Sequence, residues 1–188
     1  MKQAPVLSER DKQRVLQSLN RQSYPARNRC MLMLSWLAGM RAAEIAALSI
    51  GDVLDGDGGV RTEIMLKPQQ TKGSKARTVL VNTQLRGELA SYISMCSHSD
   101  PSSALITSKT AKPFSPNGLC QVMLHIYDKA GLDKATSHSG RRTFCTRLAE
   151  RGTAIHIIAA LAGHRNVATT LIYLTANENV MRNAVELV

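Results

Sequence analysis

"PARNRCMLMLSWLAGMRAAEIAAL" (residues 25–48) opens on a proline suited to a first helical turn and breaks at Gly39. Between them the segment is apolar enough to be the central, buried helix of a helical core. A further helix begins near Arg41 and carries Ile45 and Leu48 inward. Upstream, Ser8 can cap a helix running to about Asn20, with Val15, Leu16 and Leu19 inward.

Downstream, "DVLDGDGG" (52–59) is turn chemistry, rich in Asp and Gly. "VRTEIML" (60–66) and "ARTVLV" (76–81) read as strands separated by the polar "KPQQTKGSK", which predicts a hairpin with a mobile, basic tip. Residues 84–97 read as helix and "SHSDPSS" (97–103) as loop. "SPNGLCQVMLHIYDKAG" (115–131) combines a Ser cap, a Pro at the first helical position and a closing glycine. "SGRRTFCTRLAERG", "TAIHIIAALAG" and "NVATTLIYL" then give three glycine-stopped or Asn-capped helices. In the last, Val167, Leu171 and Ile172 are expected to pack against the domain. The tail "NENVMRNAVELV" predicts a short amphipathic helix with Met181, Ala184, Val185 and Val188 on its apolar side. The expected fold is mainly α with a small antiparallel β-hairpin, an α+β arrangement in one domain over residues 1–188.

The chain has 188 residues, long enough to bury a core without disulfide or metal support. Aromatic residues make up only 4%, so Leu, Ile, Val, Ala and Met must build that core. A formal charge of +10 suggests a polyanionic partner, with nucleic acid the commonest; a basic but otherwise ordinary protein is the alternative. Cys30, Cys96, Cys120 and Cys145 are far apart, with neither a CxxC pair nor metal-ligand spacing to a histidine, which argues for reduced thiols. The start lacks the apolar stretch of a signal peptide, and no run approaches 18 apolar residues. These features point to a soluble, cytoplasmic protein that does not span a membrane.

The polar residues that break these patterns are ordinary singly. Arg41 could be a surface arginine paired with Glu44, and Tyr173 a core tyrosine. His164, after Gly163, could be a helix cap, and Lys72 and Lys75 are unremarkable on a hairpin tip. His138 and Arg141, spaced i, i+3 at a helix start, could converge on a phosphate or belong to a solvated basic face. Taken together they describe chemistry. Arginines can neutralise a phosphodiester and its transition state. A tyrosine hydroxyl can attack phosphorus, and lysine and histidine can move the protons. No metal ligand is needed.

With these residues in this order, the chain resembles the tyrosine recombinases, or phage-type integrases. "AGMRAAEIAAL" is similar to that family's first arginine box, "TKGSKARTVLV" to its lysine hairpin, and "HSGRRTFCTRLAERG" with "LAGHRNVATTLIYL" to its second box. The resemblance runs from about residue 7 to 180. It implies that Arg41 and Arg141 clamp the phosphate and that Lys72, with Lys75 as the fallback, protonates the 5′-hydroxyl leaving group. It further implies that His138 serves the general-base role, that His164 bonds the phosphate, that Tyr173 is the nucleophile and that Glu44 supports Arg41. No cofactor, metal or ATP is expected.

The resemblance also implies double-stranded DNA as partner, a homo-oligomer on it (a tetrameric synapse), DNA-bending accessory proteins, and a tail over 174–188 that docks on a neighbouring protomer or on its own domain. A prokaryotic nucleoid, phage or mobile-element setting follows from the family. Two other functions fit the fold: a DNA-binding accessory protein without strand exchange, and a relaxing enzyme of type IB topoisomerase chemistry. Gly140, Arg142 and Ala162 depart from residues common in the family, and the interval from Arg41 to Lys72 is somewhat long. About 25 residues precede the first core helix, where most members carry a DNA-clamping domain. That fits either an excised catalytic domain or a naturally short member similar to the invertases of fimbrial phase switching.

Overall fold

Ser8 and Asp11 form a reciprocal capping box. The Ser8 N–H donates to Asp11 Oδ2 (3.0 Å) and the Asp11 N–H to Ser8 Oγ (3.1 Å). They start α1 (Glu9–Leu19), which buries Val15 and Leu19 while Leu16 is half-buried. The computed structural model describes residues 3–71, 73–96 and 100–172, together with Arg182, Val185 and Glu186. Lys72, Tyr173 and most of the tail expected to be helical therefore lie outside the described residues.

The segment 25–48 folds as its pattern dictates. Helix α2 (Pro25–Ala38) has proline in its first turn and stops at Gly39 in the left-handed conformation. Residues Cys30 through Trp36 are all buried, and α2 packs on α7 (Ser139–Glu150), α5 (Thr83–Ser94) and α1. It is the central helix of the core. After an extended Arg41 comes α3 (Ala42–Ala46), packed on α6 (Pro116–Lys129). This helix is shorter than expected: Leu48 is buried but lies beyond its end.

"DVLDGDGG" is not turn throughout. Asp52 and Val53 complete α4 (Ile50–Val53), because Asp52 closes a second capping box with Ser49. Strands β1 (Glu63–Leu66) and β2 (Arg77–Leu80) pair antiparallel, with Ile64 opposite Val79 and Leu66 opposite Arg77. Ile64, Leu66 and Val79 are buried. The connection between the strands is not simply a free tip. It begins with a 3₁₀ turn, Pro68–Gln70, and Gln70 Nε2 donates to Ala47 O (2.8 Å) and Asp52 Oδ2 (2.7 Å).

Asn82 and Ser115 cap α5 and α6. Helix α7 lies so close to α2 that a Cβ on Gly140 would sit 2.4 Å from Ser35 Oγ and 2.5 Å from Trp36 Cδ1. The departure to glycine at that position is thus a packing requirement. Helices α8 (Ile155–Ala162) and α9 (Ala168–Leu171) follow, with Cys145, Ile158 and Ala162 forming a small second core between α7 and α8. The expectation for α9 fails in one respect. Val167, Leu171 and Ile172 are 42%, 55% and 50% exposed, whereas Thr170 is fully buried. Thr170 turns inward because its hydroxyl bonds His164, and one turn of helix cannot face both sets inward.

Candidate active site

The turn after α8 organises the site. Gly163, at φ +64°, ends the helix, and the His164 and Gly163 N–H groups donate to Ala159 O and Ala160 O, both at 2.9 Å. This double backbone closure satisfies two terminal carbonyls. The next three each take an arginine. Arg77 Nη1 donates to Leu161 O (3.1 Å), Arg141 Nη2 to Ala162 O, and Arg41 Nη2 to Gly163 O (3.0 Å). A helix C-terminus carries orphan acceptors and a partial negative charge, which guanidinium groups complement. Gly163 is needed here twice over: its φ disfavours side chains, and a Cβ would lie 2.6 Å from Arg77 Cδ.

Beneath the arginines lies Glu44, with no exposed surface. Its Oε1 accepts from Arg41 Nη1 (2.7 Å) and Arg77 Nε (3.1 Å), and its Oε2 from the Arg41 N–H (2.8 Å) and Arg77 Nη2 (2.7 Å). Burial pushes the carboxyl pKa up, but the guanidiniums of Arg77 and then Arg41 outweigh it and hold it below the usual glutamate range. Arg141 is 4% exposed and also donates to Gly39 O (2.6 Å), which ties α7 to the end of α2. Burial, then the like charge of Arg41, lowers its pKa to about 10, so it remains cationic at neutral pH.

His164 Nδ1 lies 2.8 Å from Thr170 Oγ1. Burial, then Arg141, Arg41 and Arg77, pushes its pKa down to about 4, leaving the imidazole neutral at physiological pH. Three cations around one carboxylate and a neutral histidine leave a local excess of positive charge suited to an anion.

Of the residues expected from sequence, Arg41, Glu44, Arg141 and His164 are thus gathered at one point. His138 is the exposed N-cap residue of α7, one turn before Arg141, and its N–H donates to Thr136 Oγ1 (3.2 Å). Lys75 is exposed on the β1–β2 connection. Lys72 and Tyr173 adjoin described residues in the chain but lie outside them. Arg77 and Thr170 were not anticipated. For Arg77 a signal existed: it shares the period-two face of Val79 and Val81, and an arginine on an inward strand face requires a buried partner. Among the described residues no group of three or more His, Cys, Asp or Glu could hold a metal ion.

Comparison with known proteins identifies the family and the fold. Residues 5–179 match the phage integrase family, and the chain belongs to that family. It is 31% identical over 163 residues to tyrosine recombinase XerA of Pyrococcus furiosus, covering 85% of this chain and 54% of that protein. Against tyrosine recombinase XerC of Lactobacillus delbrueckii subsp. bulgaricus it is 30% identical over 166 residues, with the same coverage. The chain therefore spans about half the length of these relatives. A crystal structure of XerA recombinase superposes with a TM-score of 0.76 at 24% identity, covering 99% of this chain and 66% of that one. The Tn1549 transposon integrase in complex with transposon right end DNA gives 0.75 at 17% identity, covering 100% and 67%. The fold is that of these recombinases, mainly helical with one small antiparallel sheet.

Proposed function

We propose that this chain is the catalytic domain of a site-specific DNA recombinase that cuts and rejoins double-stranded DNA through Tyr173. The observation that carries the reading is the cluster of Arg41, Arg77 and Arg141 around Glu44 at the His164 turn. Its charge suits a phosphodiester, whose transition state gains negative charge that fixed guanidiniums stabilise.

In the proposed reaction the Tyr173 oxygen bonds to phosphorus as the bond from phosphorus to the 5′ oxygen breaks. The phenol proton passes to His138, and the leaving oxygen takes a proton from Lys72, with Lys75 the alternative donor. Arg41 and Arg141 hold the non-bridging oxygens, and Arg77 keeps Glu44, and through it Arg41, in place. Neutral His164 is assigned the tautomer whose Nδ1 accepts from the Thr170 hydroxyl, so that its Nε2 keeps its proton and hydrogen-bonds a phosphate oxygen. The product is a 3′-phosphotyrosine, and rejoining reverses each step. One phosphodiester is exchanged for one phosphotyrosine ester, so the cycle needs neither ATP nor, given the arginines, a metal. Strand exchange requires several protomers on two DNA sites, with a tetramer as the natural assembly.

The test uses nicked duplexes cut from the DNA on either side of the gene, with covalent protein–DNA adducts resolved on a denaturing gel. Wild type should form the adduct and Tyr173→Phe should not. An adduct that persists in Tyr173→Phe would refute the assignment. DNA binding without any adduct would favour an accessory role instead.

A further inference from the structure

Among the described residues, the β1–β2 connection is tied to the rest of the domain at three places. Gln70 fastens its start to the end of α3 and to α4. Arg77 fastens its far end to Glu44 and to the C-terminus of α8. Between them, Thr71 Oγ1 donates to Lys75 O (2.7 Å), drawing residues 71 and 75 together. The third tie comes from the segment after α8: Arg165 Nη2 donates to Gly73 O. Gly73 is the residue after Lys72, and Arg165 is the residue after His164.

This contact is fitted rather than incidental. Gly73 has φ +95°, and a Cβ there would lie 2.5 Å from Arg165 Nη2 and 2.7 Å from Cζ. The left-handed φ favours glycine, and the Arg165 guanidinium occupies the side on which a Cβ would stand. Both residues are exposed, and such a contact contributes little to global stability. Its effect must be sought in geometry.

We propose that Arg165 is a positioning residue. It clasps the peptide beside Lys72 to the segment that carries His164, so that the proton donor and the phosphate-binding groups address the same scissile bond. The proposal rests on the strand-transfer reading above, and assigns to that site a residue acting through Lys72 rather than touching DNA. A side chain on a four-carbon stem reaches its target only if the backbone beneath it is fixed. A misplacement of about 1 Å can cost a factor of about 100 in rate.

The experiment compares two nicked duplexes in the full chain, one with the natural scissile phosphodiester and one with sulfur replacing the bridging 5′ oxygen. A thiol, with an ordinary pKa of about 8.5, leaves as the thiolate and needs no proton donor. Arg165→Ala and Gly73→Ala, which break the clasp from either side, should each slow cleavage of the natural duplex by about 10- to 100-fold. Both should cleave the sulfur duplex at close to the wild-type rate. The double variant should be no slower than the slower single one.

Equal slowing on both duplexes, or no slowing on the natural one, would overturn the proposal. So would weaker DNA binding with a salt dependence reduced by about 0.9 in log–log slope, the mark of a direct phosphate contact. A wild-type chain that forms no adduct on either duplex would overturn the strand-transfer reading itself, and this proposal with it.

Discussion

Replacing Glu44 by glutamine preserves shape and removes one charge, and the four hydrogen bonds to its carboxylate set the cost. Each oxygen accepts two donors, one from Arg41 and one from Arg77. Whichever oxygen becomes the amide nitrogen loses both and turns its own hydrogens toward theirs. Two charge-assisted hydrogen bonds at about 1.5–3 kcal/mol each give a loss of about 3–6 kcal/mol. Breaking a buried ion pair by removing one partner typically costs about 3–5 kcal/mol, so the two routes agree. Against a usual domain stability of about 5–15 kcal/mol this is a large fraction.

The measurement is urea denaturation of wild type and Glu44→Gln, followed by circular dichroism from pH 4 to pH 8. The folded-state pKa of Glu44 lies below its unfolded value. Its contribution is therefore present above the ordinary glutamate range and lost as pH falls through the folded pKa. The gap between the two proteins should narrow toward the acid end. A Glu44→Gln protein within about 1 kcal/mol of wild type at pH 8, below the smallest loss that the lost hydrogen bonds allow, would refute the reasoning.

Three further outcomes are expected. Gly163→Ala should destabilise by about 1–3 kcal/mol in thermal or urea melts, since it forces a left-handed residue against Arg77; an unchanged melt would count against the Gly163 geometry. The His164 imidazole should titrate well below its usual pKa, near 4 by NMR, and DNA binding should raise it by neutralising the arginines; a free-protein value at or above 6.5 would contradict the burial and charge described. Because that pKa is depressed on folding, the stabilisation it gives is complete above the ordinary histidine value and fades as pH falls toward 4. Thr170→Val should cost about 1–3 kcal/mol by leaving His164 Nδ1 without its hydroxyl partner, while Leu171→Ser at an exposed position should change stability by less than about 0.5 kcal/mol.

What was legible in the sequence was local. The proline start and glycine stop of α2, the capping serines of α1 and α6, and the two strand patterns are short-range signals, and each element formed where its signal lay. Arg41, Glu44, Arg141 and His164 could be marked because their order follows a family pattern. The partner that joins them was missed: Arg77 meets Glu44 only because strand register and helix packing bring positions 33 apart in the chain together. The face of α9 was misread for a related reason. Val167, Leu171 and Ile172 make an apolar stripe at helical spacing, but the buried side is fixed by the hydrogen bond of Thr170 to His164, and no periodicity reports that.

The acceptors of Arg77, Arg141 and Arg41 on α8 are three consecutive main-chain oxygens, which every amino acid possesses. Leu161, partly exposed, is therefore free to drift in identity without unseating Arg77, so long as the backbone ends its helix at the same place, whereas Ala162 is held to a small side chain by the second core rather than by its arginine. Length is what the frame cannot tolerate. Adding or deleting one residue within α8 would swing its last carbonyls about 100° around the helix axis, a 3.6-residue turn being a full circle, and would misdirect all three arginines in one event. Lineages carrying this arrangement should thus vary in letters along the exposed side of α8 while holding its residue count constant.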